Sequence, residues 1–365
     1  MMPGSLRAQQ FPPTAASTWR NAVNQRYLLR AVVFTAAFSF GALFVGYAGA
    51  ETWSISLPNL TKIDVAEDGA PIIIDREGDA HLVTLVEGKL MLRPTSPPDA
   101  VAHPNGGLPD GVIAFRKDGM KVWLDAPTMR YGHGVLGDAI EAGALTIDFP
   151  DGAQRTLHLG DDAVFEDRIP RFADMDGDGD QEILLVKAYL NAGAALVLIE
   201  PGDAKTPPKI AAEATPIGTP NRWLNPVGVG DVDGDGKPEA LVVITPHIGG
   251  TLTAYEWRGD QLVIDHEIYG FSNHAIGSRE LELSTVVDLN GDGMAEIVVP
   301  DAHRNDMTIV SFADASPRIL ARSRASGQIV HRVVVHDLDG DTVPEIIFAT
   351  SDHNLIVWQP GPLAR

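Results

Sequence analysis

Asp174-Met-Asp176-Gly-Asp178-Gly-Asp180-Gln-Glu182 runs straight into Ile183-Leu-Leu-Val. The phrase recurs as Asp231-Val-Asp233-Gly-Asp235-Gly-Lys237-Pro-Glu239 and as Asp288-Leu-Asn290-Gly-Asp292-Gly-Met294-Ala-Glu296. A fourth copy reads Asp337-Leu-Asp339-Gly-Asp341-Thr342-Val343-Pro-Glu345. Oxygen-bearing side chains stand at positions 1, 3, 5 and 9 of every copy. Calcium is a hard cation that takes roughly 6–8 oxygen ligands, and a tight loop of alternating acids can aim several at one point. Glycine at position 6 of the first three copies lets the chain reverse without steric cost.

A helix–loop–helix calcium hand needs a carboxylate at position 12 and a helix on each side. Position 12 here is Leu185, Val242, Val299 or Phe348. The runs after position 9 are Ile183-Leu-Leu-Val, Ala240-Leu-Val-Val, Ile297-Val-Val and Ile346-Ile-Phe. Such short, mostly β-branched runs read as buried strands. Each loop is therefore expected to join two strands. Asp-Gly pairs also make plain hairpin turns. Four copies with one spacing of acids favour a metal loop over a bare turn.

These residues resemble the FG-GAP/VCBS repeat, found in the integrin α-subunit propeller and in many exported bacterial proteins. The likeness lies in the D-x-[DN]-x-D-G-x-x-[DE] loop and the strand after it. It implies an all-β fold, a single β-propeller with one four-stranded blade per repeat. It also implies up to four calcium ions, in loops 174–182, 231–239, 288–296 and 337–345. The position-7 ligand would be a backbone carbonyl, from Asp180, Lys237, Met294 and Val343. The Phe-Gly and Gly-Ala-Pro elements that name the family are poorly kept, and Thr342 replaces the glycine of the fourth loop.

Residues 1–30 carry Arg7, Arg20, Arg26 and Arg30 and no acid. Residues 31–47 are uncharged and mainly apolar, and Ala48-Gly-Ala50 is a small-x-small cleavage pattern. This is the order of a secretory signal peptide. A run of about 20 apolar residues could equally stay as a membrane anchor. A periplasmic or extracellular location is expected, or an anchored form facing outward. The chain has no cysteine and a net charge of −21; residues 51–365 alone carry −25. Nucleic acid and anionic membrane surfaces need basic patches, so neither is expected as a partner. The four loops hold sixteen carboxylates, so metal binding and folding should be coupled.

Two weaker echoes precede the four loops. Asp64-Val-Ala-Glu-Asp68-Gly-Ala-Pro-Ile72 keeps positions 1, 5 and 6, and His103-Pro-Asn105-Gly-Gly-Leu-Pro-Asp110-Gly looks like a copy one residue short. Both read as blades that kept the turn and lost the metal. The loops are spaced by 57, 57 and 49 residues, near the roughly 40–50 of propeller repeats. Seven blades are favoured over six, with 128–167 counted as a blade of its own. The last loop leaves too few residues for four strands, so Thr52-Trp-Ser-Ile-Ser-Leu is expected to supply the missing one and close the edge. Residues 51–365 are read as one domain.

In an antiparallel meander successive turns fall on opposite ends. The segments expected away from the acidic loops include Val164-Phe-Glu166-Asp167-Arg168, Tyr131-Gly-His133-Gly, Asn221-Arg222-Trp223-Leu-Asn225, Thr245-Pro-His247 and Ser272-Asn273-His274. Ser278-Arg279-Glu280 lies there too. Loops held by a rigid scaffold are where binding usually sits, which makes Arg222, Trp223, Asn225, His247, Asn273, His274, Arg279 and Glu280 candidate ligand residues. The competing reading is that they bond loop backbone and brace neighbouring blades. No His-Glu-x-x-His, Gly-x-Ser-x-Gly or phosphate-loop pattern occurs. The favoured function is a monomeric binding module for a protein, glycan or cell-envelope component. The alternative is an exported hydrolase or lyase working at the channel mouth with His247, His274, Arg222 and Glu280.

Overall fold

The computed structural model describes residues 49–99, 101, 104–313 and 317–363. The expected leader or anchor falls outside them, apart from Gly49 and Ala50, and so does His103. Among the described residues every regular element is a strand. No helix there is long and apolar enough to cross a membrane.

After β1 (Glu51–Ser56), the strands form antiparallel meanders of four. The first holds β2 (Leu60–Val65), β3 (Pro71–Asp75), β4 (Ala80–Val86) and β5 (Lys89–Thr95). The second holds β6 (Ala114–Phe115), β7 (Lys121–Thr128), β8 (Glu141–Asp148) and β9 (Gln154–His158). A short β10 (Ala163–Phe165) then pairs with β8 and with the next meander. The third holds β11 (Arg171–Ala173), β12 (Glu182–Tyr189), β13 (Gly193–Glu200) and β14 (Lys209–Ala214). The fourth holds β15 (Leu224–Gly230), β16 (Glu239–Ile244), β17 (Thr251–Arg258) and β18 (Gln261–Tyr269). The fifth holds β19 (Thr285–Val287), β20 (Glu296–Pro300), β21 (Asp306–Ser311) and β22 (Arg318–Arg324).

The sixth has β23 (Val334–His336), β24 (Glu345–Ala349) and β25 (Asn354–Gln359), and takes its fourth strand from β1. The register runs from Glu51 opposite Gln359 to Ser56 opposite Asn354. The described strands thus give six meanders, where seven were favoured. Residues 128–167 make no unit of their own. Ala144-Leu-Thr-Ile and Arg155-Thr-Leu-His are the third and fourth strands of a meander that starts at Ala114.

A strand's side chains alternate between its two faces, so one run can serve two cores. Ile183 and Leu185 pack with Leu145 and Ile147 of the second meander, and Leu184 and Val186 pack with Val242 of the fourth. All of these are fully buried. The same alternation joins Leu241 and Val243 to Ile297 and Val299, Val298 to Ile346 and Phe348, and Ile347 and Ala349 to Ile73 and Val83. Shared cores therefore link the second through the sixth meander in chain order, and the sixth to the first. Burying each such side chain contributes about 1.5–3 kcal/mol. That explains why these strands are near-continuous apolar runs rather than alternating ones.

The acidic loops connect the first and second strands of the third to sixth meanders, so all four fall at one end of the strands. The turn after each second strand and the links between meanders fall at the other end, as antiparallel pairing requires. The first two meanders keep a remnant of the acidic turn. Asp68 accepts the N–H of Ala70, and Asp118 accepts that of Met120, each at 3.1 Å. The second remnant is therefore Asp118-Gly119, not the stretch around Asn105 and Asp110.

Candidate metal loops and the opposite loop face

One hydrogen-bond pattern builds all four loops. Asp174, at position 1, accepts the N–H of Gly177 at 2.8 Å and that of Gly179 at 3.1 Å. Asp176 accepts from Asp178, and Asp178 from Asp180. Glu182, on the first residue of β12, closes the loop by accepting the N–H of Met175 at 3.0 Å. In the second loop the acceptors are Asp231 for Gly234 and Gly236, Asp233 for Asp235, Asp235 for Lys237, and Glu239 for Val232. The third uses Asp288, Asn290, Asp292 and Glu296 in the same roles, the last two for Met294 and Leu289. The fourth uses Asp337, Asp339, Asp341 and Glu345, with Val343 and Leu338 as the last two donors.

Ligand oxygens of Asp174, Asp176 and Glu182 lie within 4.8 Å of one another, as do those of Asp231, Asp233 and Glu239, and those of Asp337, Asp339 and Asp341. The position-9 glutamates are buried, Glu345 completely. Burial, then the neighbouring aspartates, pushes Glu239 and Glu345 up to about 7 and Glu296 up to about 6; Glu182 moves the same way. Glu345 Oε1 is buried without a hydrogen-bond partner. An orphaned carboxylate oxygen beside a set of hard oxygen donors fits a calcium ion. The third loop differs, because Asn290 Nδ2–H donates to Glu296 Oε1 at 2.8 Å and satisfies that oxygen from within the protein. The side chains at position 7 are occupied elsewhere in two loops. Lys237 Nζ reaches Glu256 at 2.7 Å, and Met294 lies against Gly234.

A further cluster joins Asp233 of the second loop to two residues outside the candidates, Asp265 and His266. His266 Nε2 stands 3.1 Å from Asp265 and 3.5 Å from Asp233. The pairings of β16 with β17 and of β17 with β18 place the two β18 residues near the second loop, so no local spacing announces them.

At the opposite end, Trp223 is buried and stacks on His247 with ring centroids 6.1 Å apart and planes 9° from parallel. It meets His274 edge-on at 4.8 Å. His274 Nε2–H donates to the carbonyl of Ser278 at 2.9 Å, so its Nδ1 must accept from His247 Nε2–H at 2.8 Å. The Nδ1 of His247 is left outside this chain of bonds. Trp223 Nε1–H donates to the carbonyl of Glu166 at 2.9 Å, and Glu166 Oε1 lies 2.6 Å from His133 Nδ1. Burial takes His247 down to about 4 and His274 down to about 3, so both rings are neutral at pH 7. Burial also lowers His133, with Arg222 adding to it, and holds Glu166 well above the usual carboxylate range.

The other candidates divide by role. Asn225 and Asn273 are fully buried and clasp adjacent meanders. Asn225 Nδ2 donates to the carbonyls of Asn273 and Leu281, and Asn273 Nδ2 donates to the carbonyl of Asn225. Arg279 bridges Asp110 at 3.0 Å and Asp138 at 3.1 Å, and Glu280 accepts the N–H of Glu282. Arg222, Trp223, His247 and His274 are brought together, with His133 and Glu166 beside them. Arg304 joins them, donating to the carbonyl of His274 at 3.1 Å. It stood outside every segment singled out from the sequence.

Crystal structures of BBS1N in complex with ARL6DN, one soaked with mercury and one with lead, are similar to this chain. Identity is 12% and 11%, coverage 86% and 83% of this chain and 93% and 88% of those chains, and TM-score 0.37 and 0.38. No curated protein matches the sequence. The family described as FG-GAP-like repeat matches residues 174–242 and 231–299, each span running from one acidic loop into the strand after the next. The first three acidic loops and the strands that follow them, residues 174–299, are therefore FG-GAP-like repeats.

Proposed function

We propose that the chain is a calcium-stiffened β-propeller of six blades whose loop face, opposite the metal loops, binds a protein partner. The observation that carries this reading is the fourfold recurrence of one self-bonded acidic loop, each closed by a buried glutamate at the foot of a strand. The side chains at positions 1, 3, 5 and 9 would hold the ion, with the position-7 carbonyl. Bound calcium supplies the positive charge that these acids lack. The residues themselves shape the loop and set the turn between first and second strands. Six meanders joined by shared cores, with β1 completing the sixth, support a ring in which the first and second meanders meet.

Met129, Ile248, Tyr269 and Ile276 are 75%, 62%, 71% and 72% exposed on the loops and strand ends of the opposite face. Exposed methionine, aromatic and large aliphatic side chains favour a protein partner over a glycan or another cell-envelope component. Export, by a signal peptide or with a retained anchor, is supported by the basic-then-apolar order of residues 1–50. The catalytic alternative is favoured only by the His133–Glu166 contact. Screening esterase, phosphatase and glycosidase substrates addresses it, and turnover abolished by His274→Ala would establish it.

The test of the main reading is a thermal melt with calcium and with excess chelator. The midpoint should rise with calcium, because an ion that binds only the folded state stabilises it. Asp176→Ala and Asp233→Ala should each reduce that rise. Superimposable curves would reject calcium ligation.

A further inference from the structure

Arginines on the loop face are mostly paired with acids. Arg168 meets Asp110, Arg171 meets Asp167, and Arg279 meets Asp110 and Asp138. Two are not. Arg222 makes one long bond, Nη1–H to the carbonyl of Asn221 at 3.3 Å. Arg304 donates through Nη1 to Ser272 Oγ and to the carbonyl of His274, each at 3.1 Å, and its Nε is buried without a partner. Among the described residues neither meets a carboxylate within ion-pair distance. Arg304 feels the charge of Asp301 from beyond ion-pair distance, so in a chain with 49 acids and 28 lysines and arginines two guanidiniums on one face stand without an ion pair, a setting that suits an anionic ligand.

A chain of contacts links these two to two histidines. The N–H of Asn221 donates to Tyr131 Oη at 3.1 Å, which ties the segment of Arg222 to the segment of His133. Trp223, next to Arg222, stacks on His247. His247 bonds His274, whose carbonyl holds Arg304. His133 and His247 are each anchored through one ring nitrogen and only half-buried, which leaves the other nitrogen for a ligand. The four groups sense one another electrostatically. Arg222 opposes protonation of His133, and Arg304 and His133 oppose protonation of His247.

We propose that Arg222, Arg304, His133 and His247 form a binding site for a small oxyanion, a tetrahedral phosphate- or sulfate-type group or a carboxylate. The guanidiniums supply charge and fork-shaped donors. The imidazoles supply donors once an anion draws protons to them. The site deepens the proposed function, since it rests on this loop end being the binding face.

The test uses the full chain with calcium, titrated calorimetrically at low salt with sulfate and separately with succinate. Saturable binding is expected, at least tenfold weaker in Arg222→Gln. Stronger binding of sulfate assigns a tetrahedral ligand, and stronger binding of succinate a carboxylate. A second measurement needs no variant: the ring-proton resonances of His133 and His247 should shift on adding the anion, while those of His81 and His158 stay put. The proposal is overturned if neither anion saturates the wild-type chain, if Arg222→Gln binds within twofold of it, or if the two histidines do not respond. Failure here alongside a calcium-dependent melt removes the anion site alone; failure of both removes the reading beneath it.

Discussion

The backbone N–H of Ala295 donates to the carbonyl oxygen of Asp231 at 2.7 Å, so the third acidic loop is bonded to the first residue of the second. Met294 adds to the link, since a Cβ placed on Gly234 would fall 2.6 Å from its sulfur. The two loops should therefore not respond independently. In urea denaturation with calcium, Asp233→Ala and Asp292→Ala together should depart from the sum of the single effects by more than about 0.5 kcal/mol. Additivity within about 0.3 kcal/mol would mean the bond carries no coupling.

Thr342 has φ of 75°, in the left-handed region that the equivalent Gly179, Gly236 and Gly293 occupy at 92°, 87° and 91°. A β-carbon makes that conformation costly by about 1–2 kcal/mol. Thr342→Gly should raise stability by about 1 kcal/mol, reduced by the greater freedom of glycine in the unfolded chain. A lower melting midpoint for the variant would show that the threonine side chain contributes something its backbone geometry does not reveal.

Asn290 gives the third loop an internal donor where its counterparts have a carboxylate. Asn290→Asp removes that bond and adds charge. Without calcium the variant should be less stable by about 1–2 kcal/mol; with saturating calcium most of the loss should be recovered. An equal loss in both conditions would place no ion in this loop.

The buried histidines set an acid limit. His247 and His274 titrate near 6.5 when unfolded, but fall to about 4 and about 3 in the folded chain, through burial first. Below pH 6.5 the unfolded chain takes up protons that the folded chain refuses. Their contribution is therefore present above about 6.5 and lost as pH falls toward their folded values. Glu141 acts in the opposite sense. Burial and then Glu166 push it up to about 9, so its contribution is intact below 4.5 and fades as pH rises. Because the two overlap, the informative quantity is a difference: the stability gap between wild type and His274→Gln should shrink by about 2 kcal/mol between pH 7 and pH 4.5. Parallel stability curves would contradict the assignment.

The acidic loops and their strands were legible because ligand spacing and β-branched runs are local patterns. Ile183, Leu185 and their counterparts declared themselves by composition alone. The role of β1 followed from counting, since the chain after Asp337 is too short for four strands. The second meander was hidden because its turn keeps only Asp118 and Gly119 of the loop, and because β6 is two residues long. The loop face was legible as a list and not as a geometry. Asn225 and Asn273 turned out to be clasps, since each spends its buried Nδ2 on carbonyls of the neighbouring segment. Arg304 and the Asp265–His266 pair owe their positions to contacts across strands and loops, which no single window of sequence contains.

The pairing of Glu51 with Gln359 also fixes how the chain responds to force. The two strands run antiparallel and their outer ends emerge side by side, so tension applied through both ends would open the β1–β25 ladder like a zipper, one rung after another, instead of shearing six residues at once. Tension on both ends should therefore release the sixth meander at low load, while the five meanders between stay folded.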